Sequence, residues 1–259
     1  MRHYSVERSG VTVGYLIFDP FDREGKIGGS SATVVREKGA FFDMPKQDPK
    51  KKPSGKLQKK TVPENLPTGK KRAVLPVCAI SCDFLPQDSE GEHFSIESAA
   101  TVFHELGHVI HFLAEESELP ENSGYYTEAD FIEIPSQLFE KWLSSPDMLS
   151  KHLVDDSGKP IDRERFIKYL KLKKGFHAAR SFLMDVAVIE ADLDTYSAPV
   201  PADYEELKNR FVTAIRRESV TGCEDWAHYP TWFSHVFSGM YSSVYSSYLL
   251  GDFAVEDLF

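Results

Sequence analysis

The stretch Phe103-His104-Glu105-Leu106-Gly107-His108 fits the pattern H-E-x-x-H. On a helix, side chains four apart share a face, so the imidazoles of His104 and His108 can converge on one ion. Glu105 follows the first histidine directly. It lies beside such an ion without having to bind it, where a carboxylate can take a proton from water. Two neutral imidazoles suit Zn²⁺, which also needs a third protein ligand and leaves a fourth position open. Val102, Phe103, Leu106, Val109 and Ile110 flank the pattern with apolar surface, as in a buried helix. Taken alone, the pattern also fits an ordinary helix with two incidental histidines.

The next region able to supply a third ligand is Thr127 to Trp142, TEADFIEIPSQLFEKW. Thr127 and Asp130 resemble a capping box, which starts a helix just ahead of Glu133. Phe131, Ile134 and Leu138 form its apolar face. Glu133 falls among them, where a carboxylate without a partner is costly. A metal would satisfy it; so would an arginine, or snorkelling to solvent. Glu128 and Glu140 read as solvated. Pro135 removes a helical hydrogen bond and should kink or restart the helix.

The elements that must position these groups follow from the hydrophobic pattern. Val11 to Phe18, Ala32 to Val35 and Ala73 to Ile80 are rich in β-branched and aromatic residues and read as strands. From Ser98 the spacing turns helical: Ser98 to Ala114, Thr127 to Leu143, Asp162 to Lys173, Phe176 to Leu193 and Ala202 to Ile215. Trp232 to Phe259 is aromatic and helical in its second half. Asp162 is the expected N-cap of its helix and Gly175 the expected stop. The order gives a mainly α chain with a small β-sheet, one domain over residues 1–259. Residues 45–72 interrupt it with ten basic and two acidic residues, five prolines and almost nothing apolar. Such a segment cannot offset its own ordering entropy and reads as a mobile surface loop. A localisation signal or anion-binding patch is the functional alternative.

Composition closes off several classes. The 259 residues carry a net charge of −10, with 41% hydrophobic and 27% charged residues. That suits a globular protein with a real core. At 12% aromatic the chain is not disordered throughout. No run approaches the roughly 18 apolar residues of a membrane span. Net acidity argues against nucleic acid as the main partner. Three cysteines, Cys78, Cys82 and Cys223, are too few for a disulfide framework and point to a reducing compartment. Met1 to Gly10 lacks the apolar centre of a secretory signal.

The combined motifs resemble peptidase family M3, the zinc oligopeptidases of the thimet oligopeptidase and oligopeptidase A group. HELGH is followed 25 residues later by the glutamate of FIEIPSQ. GYLIFDPFDREGKIGGSSA resembles the strand-and-loop entry to the family's catalytic domain. SGYYTEADFIEIPSQLFEKW, FHAARSFLMDVAVIEADLDTYS and HVFSGMYSSVYSSYLLGDFAVEDLF resemble its ligand segment, its long following helix and its tyrosine-rich C-terminal region. The resemblance implies a zincin-like catalytic domain binding one Zn²⁺ through His104, His108 and Glu133, with Glu105 as general base. It makes His235, Tyr241, Tyr245 and Tyr248 the groups facing the scissile bond of a short peptide. Phenol and imidazole donors suit a developing oxyanion. Read without the family, Tyr245, Tyr248 and Phe253 at helical spacing are more often core packing than catalytic groups.

Two departures stand out. Ser234 replaces the glycine usual before the histidine that His235 matches, and Met240 replaces the second glycine before the first tyrosine. Glycines there let a loop reshape around substrate. Family members also carry a long upstream helical half, absent here. A truncated paralogue or gene fragment that binds zinc with little or no peptidase activity is therefore the alternative expectation, and surface left uncovered would invite association. The family works in cytosol, mitochondria and plastids; the cysteine usage favours the cytoplasm.

Overall fold

The computed structural model describes residues 1–42, 71–85, 95–115, 126–143, 145, 152, 154–155, 157–218, 229–233, 235–237 and 241–258. Of the basic stretch 45–72, only the backbone of Lys71 and Arg72 is included, so the expectation of a mobile loop lies outside the described residues. Cys223, Ser234, Gly239 and Met240 lie outside them too. The chain divides into two compact units, Met1–Pro86 with His111–Gly124, and Gln87–Ile110 with Tyr125–Phe259.

The first unit holds the sheet. Strands β1 (Arg2–Arg8), β2 (Val11–Phe21), β3 (Ser31–Arg36) and β6 (Val77–Phe84) pair in the order β1-β2-β6-β3. The β2–β6 pair is parallel and the other two are antiparallel. A separate two-stranded ribbon joins β4 (Gly39–Phe42) to β5 (Lys71–Val74). β6 alternates as a strand with one buried face must: Cys78, Ile80 and Cys82 are buried, their neighbours less so. Burial pushes the Cys78 thiol up to about 11, so it is a packing residue and not a reactive one. β1 was not expected from the hydrophobic pattern. Its residues RHYSVER are almost all exposed, and it forms by hairpin pairing with β2 through Ser9 and Gly10, both at positive φ.

The second unit is helical. Helix α1 (Ile96–Ala114) starts there and ends in the first unit; α2 (Ala129–Leu143), α3 (Arg163–Ser197), α4 (Tyr204–Arg217), α5 (Tyr229–Trp232) and α6 (Ser246–Leu258) follow, with a 3₁₀ turn at His235–Phe237. The chain is thus mainly α with a small mixed sheet, as expected. Asp162 caps α3, its Oδ1 accepting the Arg165 N–H at 2.9 Å. Gly175 does not stop that helix. The two expected helices are one element of 35 residues running through the glycine. A mid-helix glycine costs only about 1 kcal/mol relative to alanine, and strong helix on both sides outweighs that. Pro135 likewise sits inside α2 without ending it.

Apolar clusters join these helices. Leu143 and Phe166 pack with Ile96, Ala99, Ala100 and Phe103, tying α1, α2 and α3 together. Val188, Ala191, Phe211, Ala214 and Val236 pack with Phe233, Phe237 and Tyr245, which seats the 3₁₀ turn on α3 and α4. Each fully buried large side chain here contributes about 1.5–3 kcal/mol. Among the described residues no helix is long and apolar enough to cross a membrane.

Candidate active site

Helical spacing puts His104 and His108 on one face of α1, their rings 4.9 Å apart and nearly perpendicular. Glu133 comes from α2. Its Oε2 lies 3.3 Å from His104 Nε2 and 3.4 Å from His108 Nε2. One ligand atom from each of the three falls within 4.8 Å of the other two. What permits this approach is Gly107. A Cβ there would meet the Pro135 carbonyl oxygen and the Ser136 Cα at 2.5 Å, so the backbones of α1 and α2 touch at the position between the two histidines.

Glu133 is fully buried. Ser136 Oγ lies 2.9 Å from its Oε2 and 2.7 Å from its main-chain oxygen, within donating distance of both. Its Oε1 has no hydrogen-bond partner among the described residues. A buried carboxylate oxygen left so is costly, and two imidazole nitrogens facing the same carboxylate complete the donor set of a divalent cation such as Zn²⁺. The residues present fit a metal. Of the ways to satisfy Glu133 that the sequence left open, neither solvent nor an arginine is seen among the described residues. The expected face of α2 needs correction, however. Phe131 is 47% exposed and Ile134 and Leu138 are half-buried, while Ile132, Glu133, Ser136, Gln137 and, at the end, Leu143 are the buried residues. The helix turns its polar side to the centre.

Glu140 was expected to be solvated, but His104 Nδ1 lies 2.5 Å from its Oε1. In the neutral ring, a proton on Nδ1 shared with Glu140 leaves the Nε2 lone pair for the centre. Burial disfavours a charged His104, yet hydrogen bonds to Glu133 and Glu140 and their charges outweigh it, raising its pKa to about 10 in the metal-free chain. Burial alone would raise the Glu133 carboxyl; the two histidines reverse that and hold it far below the usual carboxylate range. Glu105, 6% exposed, is on the same helix next to His104.

The expected oxyanion donors gather on one aromatic cluster. His235 Nε2 is 2.7 Å from Tyr248 Oη. The His235 ring centre is 4.4 Å from that of Tyr241, and Tyr241 stacks nearly parallel on Tyr248 at 6.3 Å. Gln137, one turn beyond Glu133, donates its Nε2 proton to the Tyr248 carbonyl at 2.8 Å. This binds α6 to α2, with Gly251 giving way to the Gln137 side chain. Burial and the Glu133 charge raise the pKa of Tyr241 and of Tyr248, so both hydroxyls keep their protons. Burial lowers the pKa of His235, so its ring stays neutral near pH 7. Tyr245 differs. It packs edge-on against Phe233, and burial with Asp185 nearby pushes its hydroxyl up to about 12. It shares the cluster all the same, its ring 6.2 Å from that of His235 and 5.1 Å from that of Tyr248, whereas Phe253 of the expected packing trio is 58% exposed.

The sequence did not single out Ser136 or Gln137, and Glu140 read as solvated. A signal existed: positions 133, 136, 137 and 140 are i, i+3, i+4 and i+7, one polar stripe on α2.

A model of peptidase family M3 matches residues 2–258, and the chain belongs to that family. It is 29% identical over 189 residues to oligopeptidase A of Escherichia coli (strain K12), covering 71% of this chain and 27% of that protein. It is 28% identical over 189 residues to the mitochondrial intermediate peptidase of Lodderomyces elongisporus, covering 68% and 22%. With the thimet-like oligopeptidase of Dictyostelium discoideum it shares 29% over 191 residues, covering 68% and 26%. The chain spans about a quarter of the length of these relatives.

Proposed function

We propose that this chain of peptidase family M3 is a zinc-dependent metalloendopeptidase acting on short oligopeptides. The observation that carries the reading is Glu133 Oε2 at 3.3 and 3.4 Å from the two imidazoles, with Oε1 unpartnered among the described residues. His104, His108 and Glu133 would hold one Zn²⁺, which supplies Lewis acidity and makes water acidic enough to attack near neutral pH. Glu105 takes the proton from the attacking water and returns it to the leaving amine. Glu140 keeps His104 in the tautomer whose Nε2 is unprotonated. Tyr241, Tyr245, Tyr248 and His235 form the cluster that orients polar hydrogens toward the oxyanion that grows on the substrate carbonyl. The substrate is a peptide, not nucleic acid, in keeping with the net charge of −10. The buried Cys78 and Cys82 suit a reducing compartment such as the cytoplasm.

The test is elemental zinc analysis of the monodisperse protein with cleavage of a quenched fluorescent peptide. One zinc per chain and turnover that drops about 10²–10⁴-fold in Glu105→Gln is the expected result. Turnover that survives Glu105→Gln, or a zinc content near zero, would overturn the reading.

A further inference from the structure

The tyrosine segment is held from behind by a group outside the expected site. Asp192 lies on α3 and is 1% exposed. Its Oδ1 accepts the Ser243 N–H at 3.0 Å and its Oδ2 accepts the Tyr245 N–H at 3.2 Å. Both carboxylate oxygens are therefore spent on the backbone of one turn. That turn begins at Tyr241, whose carbonyl accepts the Val244 N–H at 3.2 Å, and leads into α6, where Tyr248 sits. Ser243 has φ +65°, a left-handed conformation that non-glycine residues avoid. Something must hold it there.

One helical turn past Asp192, Tyr196 donates its hydroxyl proton to the Val236 carbonyl at 2.7 Å, and Ser242 Oγ donates to Tyr196 Oη at 3.1 Å. Val236 follows His235 and is fully buried. Asp192 and Tyr196, four apart on one face of α3, thus hold the chain at Val236 and again at Ser242, Ser243 and Tyr245. A helix of 35 residues gives them a rigid base. A carboxylate suits the task better than a neutral group: it accepts two N–H donors at once, and it places negative charge at the N-terminal end of α6.

We propose that Asp192 is a positioning residue, seconded by Tyr196, which fixes Tyr241, Tyr245 and the His235 turn in the arrangement the reaction needs. Its catalytic consequence rests on the peptidase reading; the clamp itself does not.

The decisive variant is Asp192→Asn. It keeps the volume and one acceptor but turns an N–H₂ group toward the second backbone N–H. Amide hydrogen exchange at Ser243 and Tyr245 should accelerate at least about tenfold, with α1 and α2 amides and zinc content unchanged. In the zinc-loaded chain kcat should fall by about 10²-fold with KM within about threefold, the pattern of a transition-state interaction lost. Adding Ser243→Gly, which takes φ +65° without strain, should recover about a tenth or more of the lost kcat. Exchange at Ser243 and Tyr245 unchanged from the wild type would overturn the clamp. So would acceleration spread evenly over all helices, or a double variant no better than Asp192→Asn. A zinc-loaded wild type without turnover would remove the peptidase reading and leave the exchange measurement to decide the clamp.

Discussion

At the scale of single residues the centre is a chain of mutual dependence. Glu133 faces the His104 imidazole, His104 meets Glu140 on its other side, and Tyr248 touches His235. Glu140→Gln tests the second link. A glutamine amide can still accept the Nδ1 proton but removes a negative charge facing the imidazole. Zinc affinity should fall about 10–100-fold, the usual cost of losing an outer carboxylate partner, as read by competition with a chelator of known affinity. An affinity equal to wild type would mean that the 2.5 Å contact does not orient His104. Tyr248→Phe tests the third. It deletes one donor and leaves the ring in the aromatic cluster, so kcat should drop about 10²–10³-fold while zinc content stays at one per chain. A loss of zinc in this variant would recast Tyr248 as support for Glu133 and not as a donor to substrate.

Elements were legible in the sequence where local chemistry decides and obscure where distant packing decides. The HELGH helix, the Asp162 cap and the β2 and β3 strands follow from patterns within a few residues, whereas the run Ala73–Ile80, expected as one strand, is broken at Leu75–Pro76 and divided between β5 and β6. β1 escaped because an exposed edge strand has no apolar side to display, and only the Ser9-Gly10 turn marks it. The face of α2 was misassigned because a polar centre, not an apolar core, covers it; a hydrophobic pattern cannot report burial of Glu133, Ser136 and Gln137. Asp192 had no local signal at all, since its partners lie about fifty residues onward. Gly107 shows how an element carries the site. Gly107→Ala would gain about 1 kcal/mol of helix propensity, but its methyl meets the backbone of Pro135 and Ser136, which cannot rotate away. Forcing α1 from α2 should cost about 1–3 kcal/mol net and draw Glu133 from the histidines. Thermal unfolding and zinc titration should both show the loss. Gly251→Ala should be milder, because its obstacle is the movable end of Gln137. A Gly107→Ala protein with native melting temperature and zinc affinity would show that the two helices have slack.

For the whole molecule, the centre couples metal, proton and stability. In the metal-free chain His104 titrates at about 10 against an ordinary 6.5, and Glu133 titrates well below its ordinary 4.5. A raised histidine pKa stabilises the fold fully below the unfolded value of 6.5 and loses that contribution as pH climbs toward 10. A lowered carboxyl pKa stabilises it above 4.5 and loses that contribution as pH falls. The pair therefore helps the metal-free protein most between about pH 4.5 and 6.5. Zinc reverses the slope on the alkaline side, because binding must expel the His104 proton and grows stronger as protons become scarce. Bound metal adds stability in proportion to the logarithm of its concentration over its dissociation constant. The melting temperature of the zinc-loaded protein should thus exceed that of the chelated protein by a gap that widens from pH 6 to pH 8. Peptide cleavage should fall over the same range as pH is lowered. A gap independent of pH across that interval would mean that no proton competes with the metal, and the imidazole held between Glu133 and Glu140 would then be neutral before zinc arrives.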